Sequence, residues 1–239
     1  MDIEEFNAFF EKELSQNNIE IDKKYYNYFY NYMKQIIDWN DKINVTAITD
    51  EKMFIVKHFI DSLTISKYIN EKDKVIDVGT GAGFPGIPLK FSKPQLSITL
   101  IDSVNKKLNV IRDITQNMNL EKLEILHSRA EDLANDKNYR EKYDIVTTRA
   151  VSNLSTIAEY MLPLLKINGI AICMKGPNIN EELEESRKAI EILGGKIEKI
   201  EKTIIDNEIE RNIIIIKKVK STPKNFPRKN GKPLKEPIR

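Results

Sequence analysis

Val75-Ile-Asp-Val-Gly-Thr-Gly-Ala-Gly-Phe-Pro-Gly86 is the stretch whose reading decides the fold of this 239-residue chain. A short apolar run ends in an acid, three glycines follow at alternate positions, and a proline then stands where a helix can open. That order spells a strand, a tight turn and a helix N-terminus. Glycine admits positive φ and lets backbone come close to a ligand. The helix start offers unpaired N–H groups and the positive end of a dipole. Pro85 suits the first helical turn, because the N–H it lacks would be unpaired there. Such a turn holds a nucleotide-like molecule.

Two ligands compete for these glycines. Gly81-Ala-Gly-Phe-Pro-Gly86 fits the dinucleotide pattern G-x-G-x-x-G. Asp77-Val-Gly79-Thr-Gly81-Ala-Gly83 fits the acid-x-G-x-G-x-G pattern of enzymes that use S-adenosylmethionine (SAM). SAM carries a sulfonium and an ammonium but no pyrophosphate, so the Asp77 carboxylate in the turn favours it. A dinucleotide fold also tends to begin with this strand, whereas about 70 residues precede it here. An ordinary Gly-rich turn is the remaining reading. Leu96-Ser-Ile-Thr-Leu-Ile-Asp102 is a second apolar run ending in an acid, one βαβ unit further on. Asp102 is placed to accept ribose hydroxyls from either ligand, or to cap the helix that follows.

Composition bounds the rest. Hydrophobic residues make up 41% and charged residues 31%, the balance of a globular domain rather than a disordered chain. No apolar run approaches the ~20 residues of a membrane span, and the start, Met-Asp-Ile-Glu-Glu, is unlike a signal peptide. Cys173 has no partner in the chain and lies in the apolar run Ile170–Met174, so it reads as a core residue in a cytoplasmic protein. The net charge of +2 conceals an asymmetry. Residues 217–239 hold nine Lys or Arg and one Glu, a net +8, which leaves −6 on the remainder. A basic tail on an acidic body suits a polyanionic partner. Prolines 223, 227, 233 and 237 favour an extended strap over a helix.

The chain divides into three parts: a helical extension over 1–70, a core over 71–220 and the basic Pro-rich tail over 221–239. Ile3, Phe6, Phe9, Phe10 and Leu14 repeat at helical spacing. Tyr25 to Trp39 forms a second, strongly aromatic helix, which reads as core packing rather than as base-stacking platforms. From residue 74 strands and helices alternate. Strands are predicted near 74–79, 96–102, 122–127, 143–148 and 168–174, and helices near 85–92, 104–118, 151–166 and 180–193. This order gives a parallel sheet with helices on both faces. Two further strands, near 196–203 and 211–218, have no helix between them and read as a terminal antiparallel hairpin. The predicted fold is therefore α/β: a Rossmann-like, seven-stranded, mostly parallel sheet of the SAM-dependent methyltransferase type, with that hairpin and a helical N-terminal extension.

At this level the sequence resembles one family, the bacterial small-subunit ribosomal RNA methyltransferase RsmG, also called glucose-inhibited division protein B. The resemblance rests on Trp39-Asn-Asp-Lys-Ile-Asn-Val-Thr-Ala-Ile-Thr49, Lys57-His-Phe-Ile-Asp-Ser-Leu63 and Asp77–Lys90. Ser128-Arg-Ala-Glu131, Thr148-Arg-Ala-Val151, Lys175-Gly176, Arg211-Asn-Ile and the tail from Thr222 to Ile238 add to it. It implies N7 methylation of one guanosine in 16S ribosomal RNA, with SAM as donor, S-adenosylhomocysteine as product and no metal. The implied partner is 16S RNA or the small-subunit particle; a monomer without membrane attachment is expected, and no protein partner is deducible. The expected cofactor residues are Asp77, Gly79, Gly81, Gly83, Phe84, Asp102, Ala130, Glu131 and Arg149. Of these the resemblance itself supplies Gly79, Phe84, Ala130, Glu131 and Arg149.

Guanine N7 carries a lone pair and no proton, so its methylation requires no general base. Arg149, Lys175 and His58 remain the active-site candidates, with His58 read first as packing. His127 is expected to end a strand beside the cofactor. Lys175, Lys224, Arg228, Lys229 and Lys232 are the candidate RNA contacts. The tail is expected to be separable, so that deleting 221–239 spares SAM binding. Two other functions stay open on the residues alone: a nicotinamide-dependent oxidoreductase, and a non-catalytic RNA-binding or ribosome-assembly module on a SAM fold.

Overall fold

The structure, a computed structural model, describes residues 1–149, 152–206, 209–229 and 231–238. Its helical extension begins with α1 (Ile3–Gln16), opened by a capping box in which the Asp2 side chain accepts from the Glu4 and Glu5 amides. Phe6, Phe10 and Leu14 of α1 fall on one face and are buried. α2 (Tyr26–Asn40) buries Tyr26, Phe29, Tyr32, Met33 and Ile36. Phe10 and Phe29 meet at 4.9 Å, and Phe29 meets Phe91 edge-on at 5.2 Å. These tyrosines and phenylalanines are core, as their spacing suggests. α3 (Glu51–Phe54) runs through a π-helical turn, Ile55–Ile60, into α4 (Asp61–Leu63).

The sheet follows. Its elements are β1 (Lys74–Val78), α5 (Gly86–Ser92), β2 (Ser97–Asp102), α6 (Asn105–Thr115), β3 (Leu123–His127), α7 (Ala130–Leu133) and β4 (Tyr143–Arg149). Then come α8 (Leu154–Met161), β5 (Leu165–Lys175), α9 (Asn180–Ile192), β6 (Gly195–Ile205) and β7 (Ile209–Lys218). Strand order is β3-β2-β1-β4-β5-β7-β6. The first five strands are parallel, β7 runs antiparallel to β5, and β6 antiparallel to β7. Continuous apolar runs such as Ile213–Ile216 are what a sheet covered on both faces requires. One core joins α1, α2, the α3–α4 helix, α5 and α6 to one face, and a second joins α7, α8 and α9 to the other. The first 70 residues are thus a packed layer of the same core. The order reverses between β1 and β4, so a crevice opens at the C-terminal ends of β1, β2 and β4.

Sequence and structure differ most in the tail. After β7 the chain crosses the α7–α8 face and ends in the short helix α10 (Lys232–Lys235). It does not hang free. Arg140 donates to the carbonyls of Thr222 (2.9 Å) and Phe226 (2.8 Å), Thr156 Oγ1 to that of Pro233 (3.0 Å) and Ser155 Oγ to that of Ile238 (2.8 Å). Arg228, expected to contact RNA, instead grips Glu159 through both carboxylate oxygens, with Nη2 at 2.6 Å. The Glu159 side chain is 1% exposed, so this charge was placed for packing. Replacing Arg228 by Ala should destabilise the protein by about 3 kcal/mol, because a buried carboxylate loses its partner. Lys224→Ala, at an exposed position, should stay within about 0.5 kcal/mol. Urea unfolding of both variants measures the contrast.

Candidate active site

At the sheet's switch point lies a cleft of about 380 Å³, lined by Gly79, Gly81, Asp102, Ser103, Lys107, Ala130, Glu131, Arg149 and Tyr160, among others. That is the size range of small-molecule sites. A wider depression of about 860 Å³ lies between α1 and the start of α3, lined by helix and loop residues rather than strand ends. The glycine turn forms the cleft floor. Gly81 has φ +59°, and a Cβ there would meet open space. Its amide donates to Asp102 Oδ2 at 2.9 Å, and the Val104 amide to Oδ1 at 2.8 Å. Asp102 therefore ties the tips of β1 and β2 together at the rim, with lone pairs remaining for a ligand.

Six of the nine expected cofactor residues face the cleft: Gly79, Gly81, Asp102, Ala130, Glu131 and Arg149. Asp77, Gly83 and Phe84 lie behind it, which corrects the reading of their side chains. Asp77 is fully buried and accepts from Thr80 Oγ1 (2.6 Å), Thr147 Oγ1 (3.0 Å) and the Gly86 amide (3.1 Å). Burial pushes its pKa up to about 6, against the pull of those three donors. Its carboxylate organises the turn from inside, and the sequence could not distinguish that from a carboxylate facing a cation. At Gly83 (φ +84°) a Cβ would stand 2.6 Å from both Ile87 Cγ1 and Tyr32 Oη. The Tyr32 hydroxyl donates to the Ala82 carbonyl at 2.9 Å. This glycine admits α2, not a ligand.

Phe84 is 3% exposed and stacks on His58, with ring centroids 4.4 Å apart and planes 3° from parallel. The Arg149 guanidinium lies 5.2 Å from the same ring. Arg149 Nη1 donates to the Lys57 carbonyl (2.8 Å) and to Asp61 Oδ2 (3.1 Å), while Nη2 donates to His58 Nδ1 (3.0 Å). A ring nitrogen that accepts from a guanidinium carries no proton, so Nε2 holds it and donates to Thr46 Oγ1 at 2.8 Å. Asp61 Oδ1 accepts from Arg211 Nε at 3.1 Å. Asp61, Arg211, Thr46 and Tyr32 were not among the expected site residues. Asp61 and Arg211 sit inside the quoted family segments, but nothing in their spacing gave them a partner. Ala150 and Val151 of the Thr148–Val151 segment lie outside the described residues.

The remaining candidates separate clearly. Lys175 contacts the Ser152 carbonyl and donates to Glu182 Oε1 at 2.6 Å, with its side chain 11% exposed. It is a tethered cation rather than a free phosphate ligand. Lys224, Lys229 and Lys232 are exposed, Lys232 standing 3.6 Å from Glu236. His127 ends β3 as expected, exposed, with Nε2 3.1 Å from the Ser103 carbonyl. Glu131 is 3% exposed and accepts from the Gly231 amide of the tail at 3.2 Å.

Fold and cleft agree with the likeness to known proteins. The model of the GidB family, rRNA small subunit methyltransferase G, matches residues 25–214. This chain belongs to that family. It is 46% identical over 224 residues to ribosomal RNA small subunit methyltransferase G of Clostridium novyi (strain NT), covering 92% of each chain. It is likewise 46% identical over 225 residues to the protein of that name from Alkaliphilus oremlandii (strain OhILAs), covering 93% of this chain and 94% of that one. Among solved structures, M. jannaschii TYW2 in complex with AdoMet aligns with a TM-score of 0.55 at 15% identity, over 66% of this chain and 75% of that one. At that identity the likeness concerns the fold.

The His58 arrangement has a pH signature. Burial first, and the Arg149 charge second, lower its pKa to about 3. The folded state then binds fewer protons than the unfolded state, whose histidine titrates near 6.5. The stability this withholds from the protonated form is complete above pH 6.5 and erodes as pH falls toward 3, by about 1.4 kcal/mol per pH unit. His58→Gln should flatten that dependence between pH 6.5 and 5, and thermal melts of both proteins across the interval check it.

Proposed function

We propose that this protein, a SAM-dependent methyltransferase of 16S ribosomal RNA, transfers its methyl group to N7 of a guanosine. Family membership carries the activity. The observation that supports the proposed chemistry is a cofactor-sized cleft beside which the imidazole of His58 is already committed and cannot serve as a base. His58 has both ring nitrogens engaged and is held neutral. Cys173 is fully buried, its thiol pushed up to about 12. A nucleophile that needs no deprotonation suits such a site, and guanine N7 is one.

Bound SAM supplies a methyl group on a cationic sulfonium. The chain's own share is alignment and exclusion of water, effects that contribute about 7–11 kcal/mol in favourable cases. In this reading Gly79 and Gly81 let the turn approach the cofactor, Asp102 accepts the ribose hydroxyls, and Ala130 with Glu131 flanks the base. Arg149 uses the N–H groups left over from Asp61, His58 and Lys57. The division of labour follows: residues 1–70 hold Arg149, residues 71–220 bind the cofactor, and the exposed lysines of 221–239 meet RNA.

The direct test incubates the protein with labelled SAM and 30S particles from a strain lacking the gene, then maps the product. Expected is a single N7-methylguanosine, visible as aniline-sensitive cleavage. Methylation at a ribose or an exocyclic amine contradicts the proposal. For the cofactor, Gly81→Val should fold with a local strain of about 1–2 kcal/mol and lose SAM binding in calorimetry. Asp102→Ala should weaken SAM binding by about 1.5–3 kcal/mol. For RNA, Lys229→Ala and Lys232→Ala should each reduce the log–log salt slope of binding by about 0.7–0.9. Lys175→Met should leave that slope unchanged, because its charge is already committed to Glu182.

A further inference from the structure

The tail carries one feature that RNA binding by lysines leaves unexplained. Leu234 in α10 is 60% exposed and lines the same cleft as Gly79, Asp102, Ala130 and Arg149. Exposing a leucine is unfavourable, yet the strap fixes it there from several sides. Gly231, at φ +68°, donates to Glu131, Pro233 is buried with its carbonyl accepting from Thr156, and Arg228 is locked to Glu159. The other aliphatic lining residues are nearly closed off: Val78 is 4% exposed, Ile101 1% and Ala130 9%. A purine lying in this cleft needs an apolar surface against its face, and Leu234 offers the largest aliphatic one.

We propose that Leu234 is a binding residue for the adenine of SAM, so that the C-terminal strap forms a wall of the cofactor site. This rests on the cleft being the SAM site. It reverses the expectation that the tail can be removed without loss of cofactor binding. Glu131 gains a double position, because it borders the cleft while it anchors the strap through Gly231. Cofactor affinity and the docking of the tail are then one property of the protein.

Calorimetry on the full-length protein tests this with SAM and with S-adenosylhomocysteine. Leu234→Ser should weaken both ligands about tenfold, the loss of most of one apolar contact. Leu234→Met, which keeps the apolar surface, should bind within about twofold of wild type. Melting temperature should hold in both, since the side chain is exposed in the free protein. Should Leu234→Ser fail to fold, an isotope-filtered NOE from a leucine methyl to adenine H2 or H8 in the wild-type complex decides the same question, its presence supporting the proposal and its absence counting against it. Wild-type SAM affinity in Leu234→Ser, with or without a raised KM for RNA, overturns the proposal and assigns Leu234 to the RNA side or to neither. Failure of the wild-type protein itself to bind SAM refutes the cleft assignment instead.

Discussion

A half-buried guanidinium holds this structure in its working shape. Arg149 ends β4 at the switch point, and it reaches across to the helices that precede the sheet, where Asp61, His58 and the Lys57 carbonyl receive it. A cation taken out of water needs both charge and hydrogen bonds around it. Asp61 supplies the charge and divides it with Arg211 from β7. β4 and β7, the two strands that flank β5, are thereby fixed to the same helical segment. The π-helical segment Ile55–Ile60 presents His58 and the Lys57 carbonyl to the same guanidinium, and such segments favour functional positions.

The cofactor turn depends on the same cluster from the other side. Phe84, inside the glycine motif, stacks on the His58 ring, which in turn accepts from the arginine, while Asp77 gathers Thr80, Thr147 and Gly86 beneath it. The glycine loop is thus braced by one polar knot below and one aromatic stack beside it. Neither knot includes a group free to take a proton from substrate. An N7 nucleophile asks only for this kind of rigid positioning. The acid of the motif shapes the loop, and Asp102, one strand over, is the acid that faces the cleft.

The sheet was legible in the sequence because its signals are local. Apolar runs ending at Asp77 and Asp102 place two strand tips, alternation of strand and helix gives a parallel sheet, and Gly194-Gly195 turns into the hairpin. Side-chain direction was not legible. Asp77, Gly83 and Phe84 belong to the motif, yet they face Thr147, Tyr32 and His58, partners up to some 70 positions away. The basic tail misled in the same way. Its charge nominated Arg228 as an RNA contact on an extended strap, but Arg228 answers a buried glutamate whose need for a partner cannot be seen from composition. Asp61 and Arg211 were missed because an ion pair spanning 150 positions has no periodicity.

In the proposed reading Asp61 acts on cofactor binding through Arg149, and that dependence is what most needs measuring. A double-mutant cycle read on SAM affinity tests it: Asp61→Asn, Arg149→Met and the two combined, each checked for folding. The double variant should bind SAM no worse than Arg149→Met alone, because the carboxylate has nothing left to hold in place. Losses that simply add would contradict this, and would show two independent contributions where the structure places one.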